Sequence, residues 1–358
     1  MSLFGNFATN RDVELEIRRP DDWHVHLRDG PLLEAVAPET ARWMGRAIVM
    51  PNLVPPVRTR ADARAYRQRI EAALPAGSNF EPLMTLYLTD DTDPADVRAA
   101  AEAGEIRGVK LYPAGATTNS ASGVTDIRRV DRVFDVLAEV GVPLLVHGEV
   151  TSPEVDIFDR ERVFIEDVLK PVVDAHRTLR VVLEHITTEE GVRFVLDGPD
   201  RVAGTLTAHH LVLDRNDLFK GGLRPHAYCL PVPKRSTHRS ALVGAATSGH
   251  PRFFLGTDSA PHRVIDKEKD CGCAGIFSAP TALSVYAAVF EAHDALEHLE
   301  SFCSLNGPAF YGLPPSSERI RLVKRSWTPS ETLGVPGEVE SVKVFFGGEA
   351  LAWSVEAA

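Results

Sequence analysis

The chain has 358 residues, a net charge of −11 at pH 7, 44% hydrophobic and 25% charged residues. That length fits one large α/β barrel, a fold of about 250 residues or more with insertions, and the acidity makes the chain a poor candidate for phosphate-backbone binding, so no nucleic acid is expected and an anionic substrate must be gripped by focal positive charge. No apolar run approaches the roughly 20 residues of a membrane span, and the start, MSLFGNFATNRDVELE, has no basic segment followed by an apolar one, so a cytoplasmic protein without a secretory signal or membrane partner is expected.

In chain order, eight short runs rich in apolar and β-branched residues predict strands: Glu14–Ile17, Arg46–Met50, Pro82–Leu88, Gly108–Tyr112, Pro143–His147, Arg180–His185, Arg201–Thr207 and Phe253–Gly256. Helix-like patterns lie between them at Arg60–Ala73, Pro94–Ala103, Ile127–Val140, Asp159–His176 and Ser240–Thr247, and a long amphipathic stretch, Pro280–Ser301, follows the eighth run. Such alternation implies parallel strands with helical crossovers. Eight rounds, and no Gly-rich phosphate loop after the first run, favour a closed (β/α)8 TIM barrel over an open dinucleotide fold. The barrel is expected over about 13–313. The tail, about 314–358, changes character. Ile320–Val323 and Val342–Phe346 read there as short strands and Gly347-Gly348 as a turn, giving a C-terminal annex within one domain spanning 1–358.

Polar residues gather at the ends of five runs: Asp22–Asp29, Val109–Tyr112, Val146–Glu149, Leu183–His185 and Gly256–His262. The C-terminal strand ends of such a barrel form its active-site mouth. His24 and His26, two apart on a strand, share a face and can bind one metal. Alone, an HxH pair is better explained by surface or packing histidines. Here Lys110, His147, His185 and Asp258 stand at four other strand ends. A buried lysine can lose its proton, because burial disfavours the charge. The neutral amine can then add carbon dioxide, giving a carbamate able to bridge two metals; by itself, a strand-end lysine facing solvent is the plainer reading. The four cysteines, Cys229, Cys271, Cys273 and Cys303, form no paired CxxC units and read as reduced thiols.

The order HxH, Lys, His, His, Asp resembles the amidohydrolase superfamily. The stretches DDWHVHLRDG, MPNLVPPV, VKLYPAGATTNS, HGEV, LEHITT, TAHHLVLDRND, RPHAYCLPVPKR and LGTDSAPH resemble the single-domain bacterial dihydroorotases, from about Arg18 to Pro308. The resemblance implies two zinc ions per subunit. His24, His26 and Asp258 would hold the more buried ion and His147 and His185 the other, with carboxylated Lys110 and a hydroxide bridging both. It implies reversible closure of N-carbamoyl-L-aspartate to L-dihydroorotate in pyrimidine (UMP) biosynthesis, with Asp258 as general acid–base, and a homodimer. Arg28, two residues beyond His26, suits a bidentate grip on a carboxylate. By resemblance Asn52 and His262 join it, backbone groups near Leu230 and Ala274 read the ring amide, and the loop with Thr117 and Thr118 is a lid, where the plain alternative is a connecting loop.

His209 and His210 follow the seventh run and are read as packing or supporting residues, because the ligand set is already complete; His226 is read as structural. Two rivals stand beside the main reading. One is another cyclic-amide hydrolase such as a hydantoinase, which need not keep Arg28, Asn52 and His262. The other is a barrel without metals that serves as a scaffold, against which all six ligand positions being filled is the argument.

Overall fold

The structure, a computed structural model, describes residues 13–358; the reading of the N-terminal segment falls largely outside them. Fourteen strands occur among these residues. β1 is Glu14–Arg18, β2 Asp21–Val25, β3 Arg46–Val49, β4 Glu81–Leu83, β5 Thr85–Tyr87, β6 Gly108–Leu111 and β7 Leu144–Val146. β8 is Val181–Leu183, β9 Val202–Leu206, β10 Phe253–Leu255, β11 Arg319–Val323, β12 Thr332–Gly334, β13 Ser341–Lys343 and β14 Ser354–Ala357.

The barrel consists of two parallel runs, β2-β3-β4 and β5-β6-β7-β8-β9-β10. β4 and β5 are one strand interrupted at Met84, so eight staves result. The ring closes between β2 and the end of β10. Asp258 N donates to His24 O (2.9 Å), His26 N donates to Ser259 O (3.0 Å), and Val25 bridges Ser259 in parallel. One apolar cluster draws Trp23, Ile48, Leu83, Leu145, Val182, Ala203 and Phe254 from seven staves. Its Trp23 ring stacks on Tyr311 with centroids 4.3 Å apart. The residues flanking these, such as Leu144, Val146, Val181 and Leu183, belong to the larger cluster shared with the helices. That alternation is the period of two expected of a strand buried on both faces.

The first predicted run is corrected. Glu14–Ile17 is no barrel stave. As β1 it pairs antiparallel with β11, which pairs with β14, in a separate three-stranded sheet. The first stave is Asp21–Val25, a buried strand with two carboxylates and a histidine. Arg60–Ala73 is a helix over the predicted residues, started by a Thr59/Asp62 capping box. Asp159–His176 becomes helix over Arg160–Ala175 with a π-turn at Ile165–Leu169. Pro280–Ser301 shortens to the helix Ala282–Ala292. The helix Gly30–Trp43, which contains Pro38, was not predicted. In the tail, Ile320–Val323 lies in β11, while Val342–Phe346 yields only β13 and then turns through Gly347 and Gly348.

Candidate active site

The strand ends bring the predicted residues together. His24 lies on β2, His26 just after it, Lys110 on β6, and His147, His185 and Asp258 shortly past β7, β8 and β10. All six are buried. One small cavity is lined by His24, His26, Arg28, Asn52, Thr117, Thr118, His147, His185, Leu230, Asp258 and Ala274. Tyr112, Ala260 and Gly275 complete its wall. Lys110, fully buried, and His262, in contact with Arg28, are not among the lining residues.

The hydrogen bonds fix which ring nitrogens remain free. His26 Nδ1 lies 2.8 Å from Asn52 Oδ1, an acceptor, so Nδ1 carries the proton and Nε2 keeps its lone pair. His24 Nδ1 lies 3.0 Å from Glu184 Oε1, an ion-pair contact without hydrogen-bond geometry. His24 Nε2, His26 Nε2 and Asp258 Oδ1 then lie 3.3, 3.1 and 3.3 Å from one another. Two imidazole nitrogens and a carboxylate oxygen gathered at that separation are the donor types that hold a zinc-like ion, so the set fits a metal ion. On the other side, His147 Nε2 meets Glu149 Oε2 at 2.9 Å, freeing Nδ1. His185 Nδ1 is buried without a partner, and the His147 and His185 rings are 4.8 Å apart. These donors fit a second ion.

The electrostatics follow from burial and from two acids. Burial lowers His26 to about 4 and His185 well below its usual value, His147 adding to the latter. Burial also works against protonation of His24, but the Glu184 carboxylate overcomes it and raises His24 to about 9. Asp258, despite burial, is held well below the usual carboxylate range by hydrogen bonds with His24 and His26. The Lys110 amine contacts the Glu184 carboxylate, which favours the ammonium, yet burial outweighs it and lowers the amine. A lowered amine is the form that can be carboxylated.

Arg28 donates through Nε to Pro261 O (3.0 Å), and its Nη2 lies 3.0 Å from His262 Nε2. His262 Nε2 also faces Ala274 O at 2.9 Å. Burial and the Arg28 charge lower His262 to about 2, so it stays neutral. Thr118 Oγ1 donates to Ala274 O (3.3 Å), and Asn52 Nδ2 donates to Thr118 O (3.1 Å). Gly275 runs at φ +150°, and a Cβ there would meet Ala260 O at 2.6 Å, so only glycine lets this strap lie against the strand end.

Sequence reasoning passed over several side chains that hold the site. Glu184 faces both His24 and Lys110, and Glu149 orients His147; the available signal was an acid adjoining each histidine, in LEH and HGE. Asp22 accepts from Thr257 N (2.8 Å), Thr257 Oγ1 (2.5 Å) and His24 N (3.1 Å), tying β2 to the loop after β10. Glu161 accepts from the backbone and hydroxyl groups of Thr187 and Thr188, next to His185. His209, His210 and Cys229 also cluster. Both His210 nitrogens are engaged, Nδ1 with Thr207 Oγ1 (2.8 Å) and Nε2 with Pro231 O (2.9 Å), which leaves that ring no lone pair for an ion. His226 pairs with Glu268. The four cysteines are free, and among the described residues no helix is long and apolar enough to cross a membrane.

Comparison with known proteins identifies the family. The Amidohydrolase family matches residues 22–324. A dihydroorotase of Cereibacter sphaeroides is 61% identical over 346 residues, covering 96% of this chain and 99% of that protein. The crystal structure of the Saccharomyces cerevisiae dihydroorotase in complex with 5-fluoroorotic acid superposes with a TM-score of 0.89 at 34% identity, covering 96% of this chain and 98% of that one. The Campylobacter jejuni dihydroorotase gives 0.87 at 34% identity, covering 97% and 99%. The chain belongs to the amidohydrolase family and, within it, to the dihydroorotases.

Proposed function

We propose that this chain, acting as one barrel domain with its annex, interconverts N-carbamoyl-L-aspartate and L-dihydroorotate for pyrimidine biosynthesis, using the cavity at the strand ends and two zinc ions. The observation that carries this reading is the convergence of His24 Nε2, His26 Nε2 and Asp258 Oδ1 beside Arg28 in one cavity. His24, His26 and Asp258 would hold one ion, His147 and His185 the other, and Lys110 as a carbamate would span both. When bound, the ions polarise the ring amide carbonyl and make a water acidic enough to react near neutral pH.

The chain's own groups do the rest. Asp258, kept ionised, accepts a proton from the attacking water and delivers it to the leaving ring nitrogen; ring closure runs the reverse path. Arg28 keeps unused guanidinium donors for the substrate carboxylate, and Asn52 and the neutral His262 flank it. Backbone groups near Leu230 and Ala274 meet the ring amide, and Thr117 and Thr118 close over the mouth. Glu149 holds the tautomer of His147, and the Glu184 carboxylate faces His24 and Lys110. We further propose a cytoplasmic homodimer that works on small molecules alone.

One coupled measurement tests this: zinc content together with turnover of dihydroorotate and of hydantoin. Two zinc per subunit with turnover of dihydroorotate and no turnover of hydantoin is expected. Hydantoin turnover in place of dihydroorotate turnover would move the chain to the other cyclic-amide hydrolases.

A further inference from the structure

Lys267 ends the short helix Val264–Lys267 and is only 4% exposed. An ammonium has three donors and no acceptor, and burying it is costly unless each donor finds a partner. Nζ donates to Tyr228 O (2.8 Å), Cys273 O (2.9 Å) and Gly275 O (2.6 Å). All three partners are main-chain carbonyls, and no carboxylate is among them.

These carbonyls belong to two stretches distant in sequence. Tyr228 lies two residues before Leu230, and Cys273 and Gly275 flank Ala274. Leu230, Ala274 and Gly275 line the site cavity. The two stretches also meet directly, Gly275 N donating to Tyr228 O (3.1 Å). A main-chain group has no rotamer, so its aim depends on what holds the chain on either side. Here one ammonium holds both stretches at once.

We propose that Lys267 is the positioning residue of the ring-binding backbone: it locks the Leu230 and Ala274 segments against each other and so sets affinity for the cyclic substrate without touching it. This rests on the reading of those segments as contacts of the ring amide.

Burial lowers the Lys267 amine to about 8, with Cys229 and Cys273 opposing and Arg28 adding to the fall. His209 and His262 feel its charge, and the Tyr228 ring lies 5.8 Å from Nζ. Below pH 8 the clamp has its three donors. Above it the neutral amine keeps two and turns a lone pair toward a carbonyl. KM for dihydroorotate therefore climbs as pH rises through about 8, while kcat does not follow it.

The test compares the full-length zinc enzyme with Lys267→Met and Lys267→Gln. Zinc content, kcat and KM for dihydroorotate are measured between pH about 7 and about 9.5, above which ordinary lysines lose their protons. The expected result is unchanged zinc, kcat within about threefold, KM raised at least about tenfold, and no further rise of KM near pH 8. A displacement of about 1 Å at a site can cost about a hundredfold, so tenfold is a modest demand. Variants whose KM matches that of the wild type throughout overturn the proposal. If neither variant folds, the wild-type profile decides: a KM rise centred near pH 8 at constant kcat supports the clamp, and a flat KM overturns it. Wild-type enzyme that leaves dihydroorotate untouched overturns the functional reading itself, a result separate from any behaviour of Lys267.

Discussion

Asp258 sits at φ +44° and His185 at φ +42°, a backbone region that a non-glycine residue occupies only when its surroundings compel it. Those surroundings are visible: Asp22 anchors Thr257 before Asp258, and Glu161 anchors Thr187 and Thr188 after His185. A carboxylate held this firmly between two histidines suits proton transfer. Asp258→Asn keeps the shape and cannot carry the proton, so kcat is expected to fall at least about 10²–10⁴-fold in both directions; near-normal rates would shift the proton to another group. Arg28 also lies at positive φ (60°), and Tyr66 Oη donates to its carbonyl (2.7 Å). Arg28→Lys keeps the charge and loses the planar fork. It is expected to raise KM for both substrates by about tenfold with zinc content unchanged, and steady-state kinetics beside metal analysis checks it. The proposed ligands were legible in the sequence because Lys110, His147, His185 and Asp258 stand at the ends of apolar runs and His24 and His26 form an HxH pair. Glu161 and Lys267 were not, because each is a single charged residue on a helix whose partners lie elsewhere in the sequence.

At the scale of elements, hydrophobic patterning located the apolar staves and misjudged the polar one. β2 reads DDWHV, and its Asp21 and Asp22 look like surface residues until Arg46 and Thr257 are seen to satisfy them. The alternating run Glu14–Ile17 was the better strand by pattern and belongs to the annex sheet. The helix Gly30–Trp43 escaped because Pro38 lacks the donor that a helix interior uses. The loop after β6 was legible as small and polar, and its anchoring was not. Its base is pinned by Val124 N to Tyr112 O (2.9 Å) and Ala114 N to Val124 O (3.0 Å). Its tip reaches the site through Thr118 Oγ1 to Ala274 O, and is held there by Asn52 Nδ2 to Thr118 O and Asn119 Nδ2 to Asn52 O. A pinned base with a few polar contacts at the tip is the build of a lid. Replacing both Thr117 and Thr118 with Ala is expected to lower kcat/KM about tenfold or more while zinc content and Tm stay unchanged. Unaltered kinetics in both directions would reduce the loop to a connection.

For the whole molecule, the ring is weakest in hydrogen bonds where β2 meets the end of β10, and the candidate metal site lies at that seam. Few backbone bonds cross it, Asp258 N to His24 O and His26 N to Ser259 O among them, with Asp22 and Thr257 as a side-chain link. His24 and His26 stand on one side of the seam and Asp258 on the other, so an ion shared among them is a cross-link of the barrel. Lys110, His147 and His185 extend that link to three further staves. Without ions, His24 Nε2, His26 Nε2 and Asp258 Oδ1 have only one another, and the buried His185 Nδ1 has no partner. Metal binding should therefore stabilise the fold as well as serve catalysis. An ion at about a hundred times its Kd contributes about 2.7 kcal/mol, which for a domain of this size corresponds to several degrees of Tm per ion. Chelation is expected to lower Tm by that order, and added zinc to restore both Tm and activity. Lys110→Ala should reproduce the chelated Tm in the presence of ordinary zinc, because the group proposed to span the two ions is lost, and a short carboxylic acid that takes its place should recover part of the shift. Calorimetry on wild-type, chelated and Lys110→Ala protein checks this. An unchanged Tm in both would mean that the histidines and carboxylates satisfy one another without metal, and that the seam is held by its backbone bonds alone.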